Sequence, residues 1–104
     1  MKAAYITGHG GNEVVQVGQC EKPAAAPGQV VVRMHAATLN RVDLYMRDSG
    51  AGITHHLPQI LGLDGAGTVE SVDADEPLLR PGQDVVLHPG IGCGRCEFCQ
   101  RGDT

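Results

Sequence analysis

The sequence predicts a mainly β domain, a compact barrel or sandwich of short strands broken by one short helix and followed by a cysteine-rich loop. Three observations carry that expectation. The 15 glycines and 6 prolines cluster where apolar patterns stop, the segments between them alternate in polarity or are rich in valine, and one stretch repeats its apolar groups at helical spacing.

Taken in order, Lys2 to Ile6 is the first strand-like run, and Gly8-His9-Gly10-Gly11 ends it. Glu13 to Val17 is the second, and Pro27-Gly28 turns the chain into the third, Gln29 to Ala37. There the alternation puts Val30, Val32, Met34 and Ala36 on one face and Arg33 and His35 on the other, as in a strand with one side in a core. The segment Asn40-Arg41-Val42-Asp43-Leu44-Tyr45-Met46-Arg47 opens on a capping residue with an acid three positions on, so a short helix is expected. Ser49-Gly50-Ala51-Gly52 stops it. Two further strands follow, Gly67 to Val72 and Asp84 to His88, bounded by Pro81-Gly82 and Pro89-Gly90.

A chain of 104 residues with 41% apolar content has room for one domain and a small core. The formal charge of −4, from 8 Lys and Arg against 12 Asp and Glu, offers no basic stripe for phosphates and argues against nucleic acid. No apolar run approaches the roughly 20 residues that span a bilayer. The N-terminus runs straight into a strand pattern, not a signal peptide, so a soluble cytoplasmic protein without membrane contact is expected.

Four cysteines could mean disulfides in a secreted chain, but Cys93, Cys96 and Cys99 crowd together with no secretion signal, which favours metal. Cys20 stands apart and reads as an ordinary thiol. Two-residue gaps in a glycine-marked loop let several sulfurs converge on one ion while backbone N–H groups bond them. A Cys-x-x-Cys redox pair belongs at a strand-to-helix junction in a βαβ setting, which is not evident here. An iron–sulfur cluster of ferredoxin type shares the triplet, but the place of its next cysteine is Asp103. A structural zinc loop is the preferred reading, with its fourth ligand from elsewhere or beyond the chain.

With these motifs in order, the chain resembles the medium-chain dehydrogenase/reductase superfamily of zinc-type alcohol dehydrogenases and quinone reductases. The resemblance runs through the opening strand from Met1, through Ala36-Ala37-Thr38-Leu39-Asn40-Arg41-Val42-Asp43, through the glycine-rich stretch from Leu57 to Val69, and through Pro81-Gly82-Gln83-Asp84-Val85-Val86. Cys93, Cys96 and Cys99 then match the first three cysteines of the family's structural zinc lobe, whose fourth would fall past Thr104. The resemblance implies that residues 1–104 are the N-terminal part of a GroES-like barrel, the substrate-side catalytic domain, broken off within the zinc lobe. The following Rossmann domain would be absent from this chain, and residues 1–104 alone would be inactive. The glycines of Gly62-Leu63-Asp64-Gly65-Ala66-Gly67 have the wrong spacing for a dinucleotide fingerprint and read as tight turns.

Two positions depart from the zinc alcohol dehydrogenases: Asn40 stands where a zinc-binding cysteine is expected, and Leu63-Asp64 where the family has His-Glu. A catalytic zinc is therefore not expected. Asn40, Val42, Asp43, Tyr45 and Arg47 are similar to the quinone reductase branch, which reduces carbonyl or enone acceptors with NADPH. That resemblance implies catalytic roles for Asn40, Asp43 and Tyr45, with Asn40 and Tyr45 donating to a developing oxyanion and meeting the NADP or NAD cofactor. For Asp43 the preferred reading is a helix-capping acid, ahead of a partner that orients the site, and Arg47 reads as a solvated or ion-paired charge. No two of His9, His35, His55, His56 and His88 are spaced as a ligand pair. The expected whole is an NAD(P)H-dependent oxidoreductase, homo-oligomeric, acting on small carbonyl, quinone or alcohol substrates, with structural zinc. The alternatives are a stand-alone zinc-binding β domain working by protein contact and, by fold analogy, a co-chaperonin module.

Overall fold

The computed structural model describes residues 1–53, 55–74 and 78–103. Its elements in chain order are β1 (Lys2–Ile6), β2 (Val15–Gln19), β3 (Val30–Ala36), α1 (Arg41–Asp48), β4 (Gln59–Ile60), β5 (Ala66–Val72), β6 (Asp84–Val86) and α2 (Glu97–Arg101). They form two antiparallel three-stranded sheets, ordered β2-β1-β4 and β3-β5-β6.

In the first sheet the pairing runs from Lys2 opposite Gln19 to Ile6 opposite Val15. The second strand thus begins at Val15, two residues after the Glu13 start expected from sequence. The Glu13 carboxylate accepts the Gly11 N–H at 3.0 Å, which holds Asn12–Val14 in a single 3-10 turn, a local bond competing with the ladder. The ladder closes at the chain start, where the Met1 amino group donates to the Cys20 carbonyl at 2.7 Å. β4 is only two residues long, too short for any periodicity to announce it.

The third strand departs from strict alternation. Its pairing with β5 shifts register between Val31 and Val32, where Glu70 of β5 is the extra residue, and again between Met34 and Ala36, where His35 of β3 is, and such shifts change which side chains face one another. Val30, Val31 and Val32 are all half-buried in consequence, while Met34 is exposed. The expected face of Val30, Val32, Met34 and Ala36 is corrected on this point. β5 lies close to β3 because Gly67 is buried against the Arg33 carbonyl and Gly65 against the Ala36 carbonyl, with no room for a Cβ at either. β6 ends at Val86, and the Leu87 N–H extends the contact by one bond to the Gly65 carbonyl at 2.8 Å.

α1 forms where the capping signal placed it. Asn40 has extended backbone as N-cap, and the Asp43 carboxylate folds back to accept the Asn40 N–H at 2.9 Å. The helix stops at Ser49, whose N–H bonds the Tyr45 carbonyl at 3.1 Å, and Gly50 follows with φ +74°.

The core is thin. Ile6 of the first sheet and Val69 of the second are almost completely enclosed, whereas Leu39, Val86 and Ile91 are 93%, 81% and 97% exposed. The accessible surface of 7716 Å² exceeds the roughly 5,600 Å² of a compact monomer of this mass. The radius of gyration, 15.6 Å, likewise exceeds the roughly 13 Å of a compact domain this long.

Gly67 generates a prediction. Gly67→Ala would drive a methyl into the Arg33 carbonyl, so it should destabilise the fold by about 1–3 kcal/mol, read as a lower denaturation midpoint in urea. Gly82→Ala, with open space around its Cβ but φ +93°, should cost less, about 1 kcal/mol.

Candidate functional site

Two loops meet at the C-terminal end of β3. One leads from β3 into α1 and carries Thr38 and Asn40; the other leads from β4 into β5 and carries Leu63 and Asp64. The Thr38 hydroxyl donates to Asp64 Oδ1 at 2.8 Å. The Asn40 amide donates one proton to Asp64 Oδ2 at 3.2 Å and the other to Thr38 Oγ1 at 3.3 Å. The carboxyl of Asp64 is held below the usual aspartate range, first by the Thr38 hydroxyl, then by the Asn40 amide, with the backbone N–H groups of Thr38 and Asp64 adding to them. Beside it opens a cavity of about 320 Å³ walled by Ala36, Ala37, Thr38, Asp64, Gly65, Ala66, Val86, Leu87 and Pro89.

Asn40 therefore sits in the site with a different occupation from the oxyanion donor read from sequence. An amide has two N–H protons, and both are spent on Asp64 and Thr38. Asp43 lies just below, 4% exposed, bonded to the N-cap and lining a second cavity with Thr38, Leu44, Arg47 and Leu61. Tyr45 is on the solvent side of α1, half exposed, and is absent from the wall that holds Thr38 and Asp64. The structure brings Asn40 together with Asp64, supports it with Asp43, and leaves Tyr45 apart. Thr38 was missed; its only signal was a hydroxyl two residues before the cap.

The second constellation is the cysteine loop. The sulfurs of Cys93, Cys96 and Cys99 all lie within 4.8 Å of one another, with 3.8 Å between Cys93 and Cys99. Tetrahedral zinc with Zn–S bonds of about 2.3 Å separates its sulfurs by about 3.8 Å, so the three fit three corners of such a site. Backbone N–H groups already point at the sulfurs: Arg95 and Cys96 donate to Cys93 at 3.4 and 3.3 Å, and Cys99 donates to Cys96 at 3.4 Å. The Cys93 thiol is pulled down to about 7, first by the Arg95 N–H and then by that of Cys96, with the neighbouring thiols of Cys96 and Cys99 contributing. Asp103 is engaged by Arg101 at 3.2 Å, and Cys20 is outside the cluster.

Four further polar residues named from the sequence, His9, His35, His55 and Arg47, have structural partners. His9 Nδ1 meets the Met46 carbonyl at 2.8 Å and His55 Nε2 the Gly50 carbonyl at 3.0 Å, which ties two loops to the end of α1. Arg47 pairs with Asp48 at 2.6 Å and donates to Asn12 at 2.6 Å. His35 joins Thr68 at 2.9 Å, and Thr68 donates to Asp84 at 3.0 Å, across β3, β5 and β6.

No helix among the described residues is long and apolar enough to cross a membrane. Among known proteins, a dehydrogenase of Emericella nidulans is 36% identical over 87 residues, which is 84% of this chain and 24% of that protein. A crystal structure of an NAD-dependent alcohol dehydrogenase superposes with a TM-score of 0.89 at 40% identity, over 99% of this chain and 30% of the other. The quinone oxidoreductase of Pseudomonas syringae pv. Tomato DC3000 superposes with a TM-score of 0.76 at 38% identity, over 82% of this chain and 26% of the other. The chain thus spans about a quarter to a third of the length of the proteins it matches. Residues 26–104 match the alcohol dehydrogenase GroES-like domain, and the chain belongs to that family.

Proposed function

We propose that this chain forms the substrate-side wall of an NAD(P)-dependent oxidoreductase for small carbonyl, quinone or alcohol compounds, working without a catalytic zinc and carrying a structural zinc in its cysteine lobe. The observation that carries this reading is the closed network of Thr38, Asn40 and Asp64 at the place where a zinc alcohol dehydrogenase would hold its catalytic ion. Leu63 has no ligand atom, and the Asn40 amide is spent on its neighbours. That leaves one carboxylate, too little to hold zinc against water.

Without a Lewis acid, the chain contributes position and field. The wall of Ala36, Ala37, Val86 and Leu87 offers the substrate an apolar surface, and the Asp43 cap keeps the start of α1 where Asn40 can brace Asp64. Tyr45, exposed on α1, is assigned to the cofactor side of the cleft. The complete enzyme is proposed to be a homo-oligomer using NADP or NAD. A free-standing zinc β domain finds no support among relatives that are dehydrogenases and reductases.

In the cysteine lobe zinc supplies no chemistry of the reaction; it closes the loop. The preformed N–H···S bonds and the 3.8 Å sulfur separation support that role.

Three outcomes test the proposal. Elemental analysis of the complete enzyme should find one zinc per subunit, and chelation should lower the melting temperature before it touches turnover of the molecules still folded. In metal-free protein, iodoacetamide should label Cys93 with a half-maximal rate near pH 7, since its thiolate forms above that value and is lost below it; one equivalent of zinc should protect it. Asn40→Ala in the complete enzyme should lower kcat/KM about tenfold by loosening Asp64, with Tyr45→Phe acting mainly on the KM for the nucleotide.

A further inference from the structure

We infer that Asp64 selects the substrate: the cavity beside it takes compounds carrying a hydroxyl or ammonium donor on the part that enters, and disfavours quinones and simple ketones that present only acceptors. This inference rests on the proposed oxidoreductase reading and names the substrate class of that same site.

The argument is a count of protons and charges. Asp64 is the single charged residue in the described wall of the cavity, and Thr38 its only other polar side chain. Thr38 has one hydroxyl proton, and it goes to Asp64 Oδ1 at 2.8 Å. Asn40 could have supplied two donors, but they go to Asp64 Oδ2 and Thr38 Oγ1. No side-chain N–H or O–H of the three is left to meet a ligand oxygen. What remains is acceptor capacity: a carboxylate has about four lone-pair sites, the two side-chain bonds take two, and the backbone N–H groups of Thr38 and Asp64 act on it least, which leaves room for a ligand donor.

The rest of the wall sharpens the preference. Ala36, Ala37, Val86, Leu87 and Pro89 bring only carbon side chains, so among the wall's side chains a ligand finds one anionic partner. A hydrogen bond to a charged group in such a place is stronger than one between neutral groups, and a ligand without a donor would strand the carboxylate beside its own oxygen dipole. The volume of about 320 Å³ is at the small end for ligand pockets, which suits a compound of few carbons.

The test compares hydroxyacetone with butan-2-one, which match in heavy-atom count and differ by a hydroxyl in place of a methyl. Their affinities for the complete, metal-loaded protein are measured by ligand-observed NMR titration, which needs no turnover. Hydroxyacetone should bind about tenfold or more tightly, and Asp64→Asn should reduce that preference to less than about twofold. Thr38→Val, which keeps the carboxylate, should retain the preference and serves as the reading if Asp64→Asn does not fold. Equal affinities in the wild type, a preference surviving in Asp64→Asn, or one lost in folded Thr38→Val would overturn the inference. So would a preference abolished by chelation, which would mean that a bound metal reads the hydroxyl. Nicotinamide-dependent turnover is assayed in parallel. Its absence with every carbonyl and alcohol tried would reject the oxidoreductase reading and leave the binding result to stand alone.

Discussion

Where β5 crosses β3, Gly67 lies against the Arg33 carbonyl and Gly65 against the Ala36 carbonyl, and the loops that carry the site are set by that contact. A side chain at either position would push the strands apart and carry Asp64 away from Thr38, since Asp64 immediately precedes the close approach and Thr38 lies two residues beyond Ala36. The Leu87 N–H bonded to the Gly65 carbonyl pins the third wall of the cavity to the same point. Backbone proximity here does what a metal ion does in a zinc enzyme: it fixes the relative places of groups on separate loops.

On the proposed reading an anion stands where a zinc enzyme holds a cation, and the electrostatics are reversed. Zinc would attract a substrate oxygen and stabilise negative charge as it develops. Asp64, held ionised by its neighbours, repels that charge and attracts donors. On the proposed reading, charge stabilisation in the transition state has to come from outside this wall. The proposal accordingly makes the Thr38–Asn40–Asp64 cluster a reader of the substrate and not the group that drives hydride transfer.

The cysteine lobe and the barrel solve different problems. With Ile6 and Val69 as the only fully enclosed apolar side chains among the described residues, the sheets have little hydrophobic energy to lend to the loop of residues 90–103. A metal knot suits such a segment, because ligand binding supplies folding free energy locally without a core. The N–H···S bonds already present would reduce the reorganisation an entering ion requires.

How much of this was legible in the sequence depends on the range of the interaction. Sequence alone determined the β character, since glycine and proline punctuate short valine-rich runs. It also determined α1 with its Asn40–Asp43 cap, whose bond spans three residues, and the metal triplet Cys93, Cys96 and Cys99, whose spacing acts within one loop. The family followed from the order of those motifs. Only the tertiary structure decided the rest. The register shifts between β3 and β5 join residues about thirty to forty apart in the chain, and the simple alternation of Val30 to Ala36 is lost with them. The two-residue β4 exists because β1 offers it an edge. Most consequential, Asn40 and Asp64 are separated by 24 residues, so no local pattern could show that each answers the other. Sequence marked Asn40 as a donor because an isolated amide is one; the fold spends both of its protons, and with them changes what the site can bind.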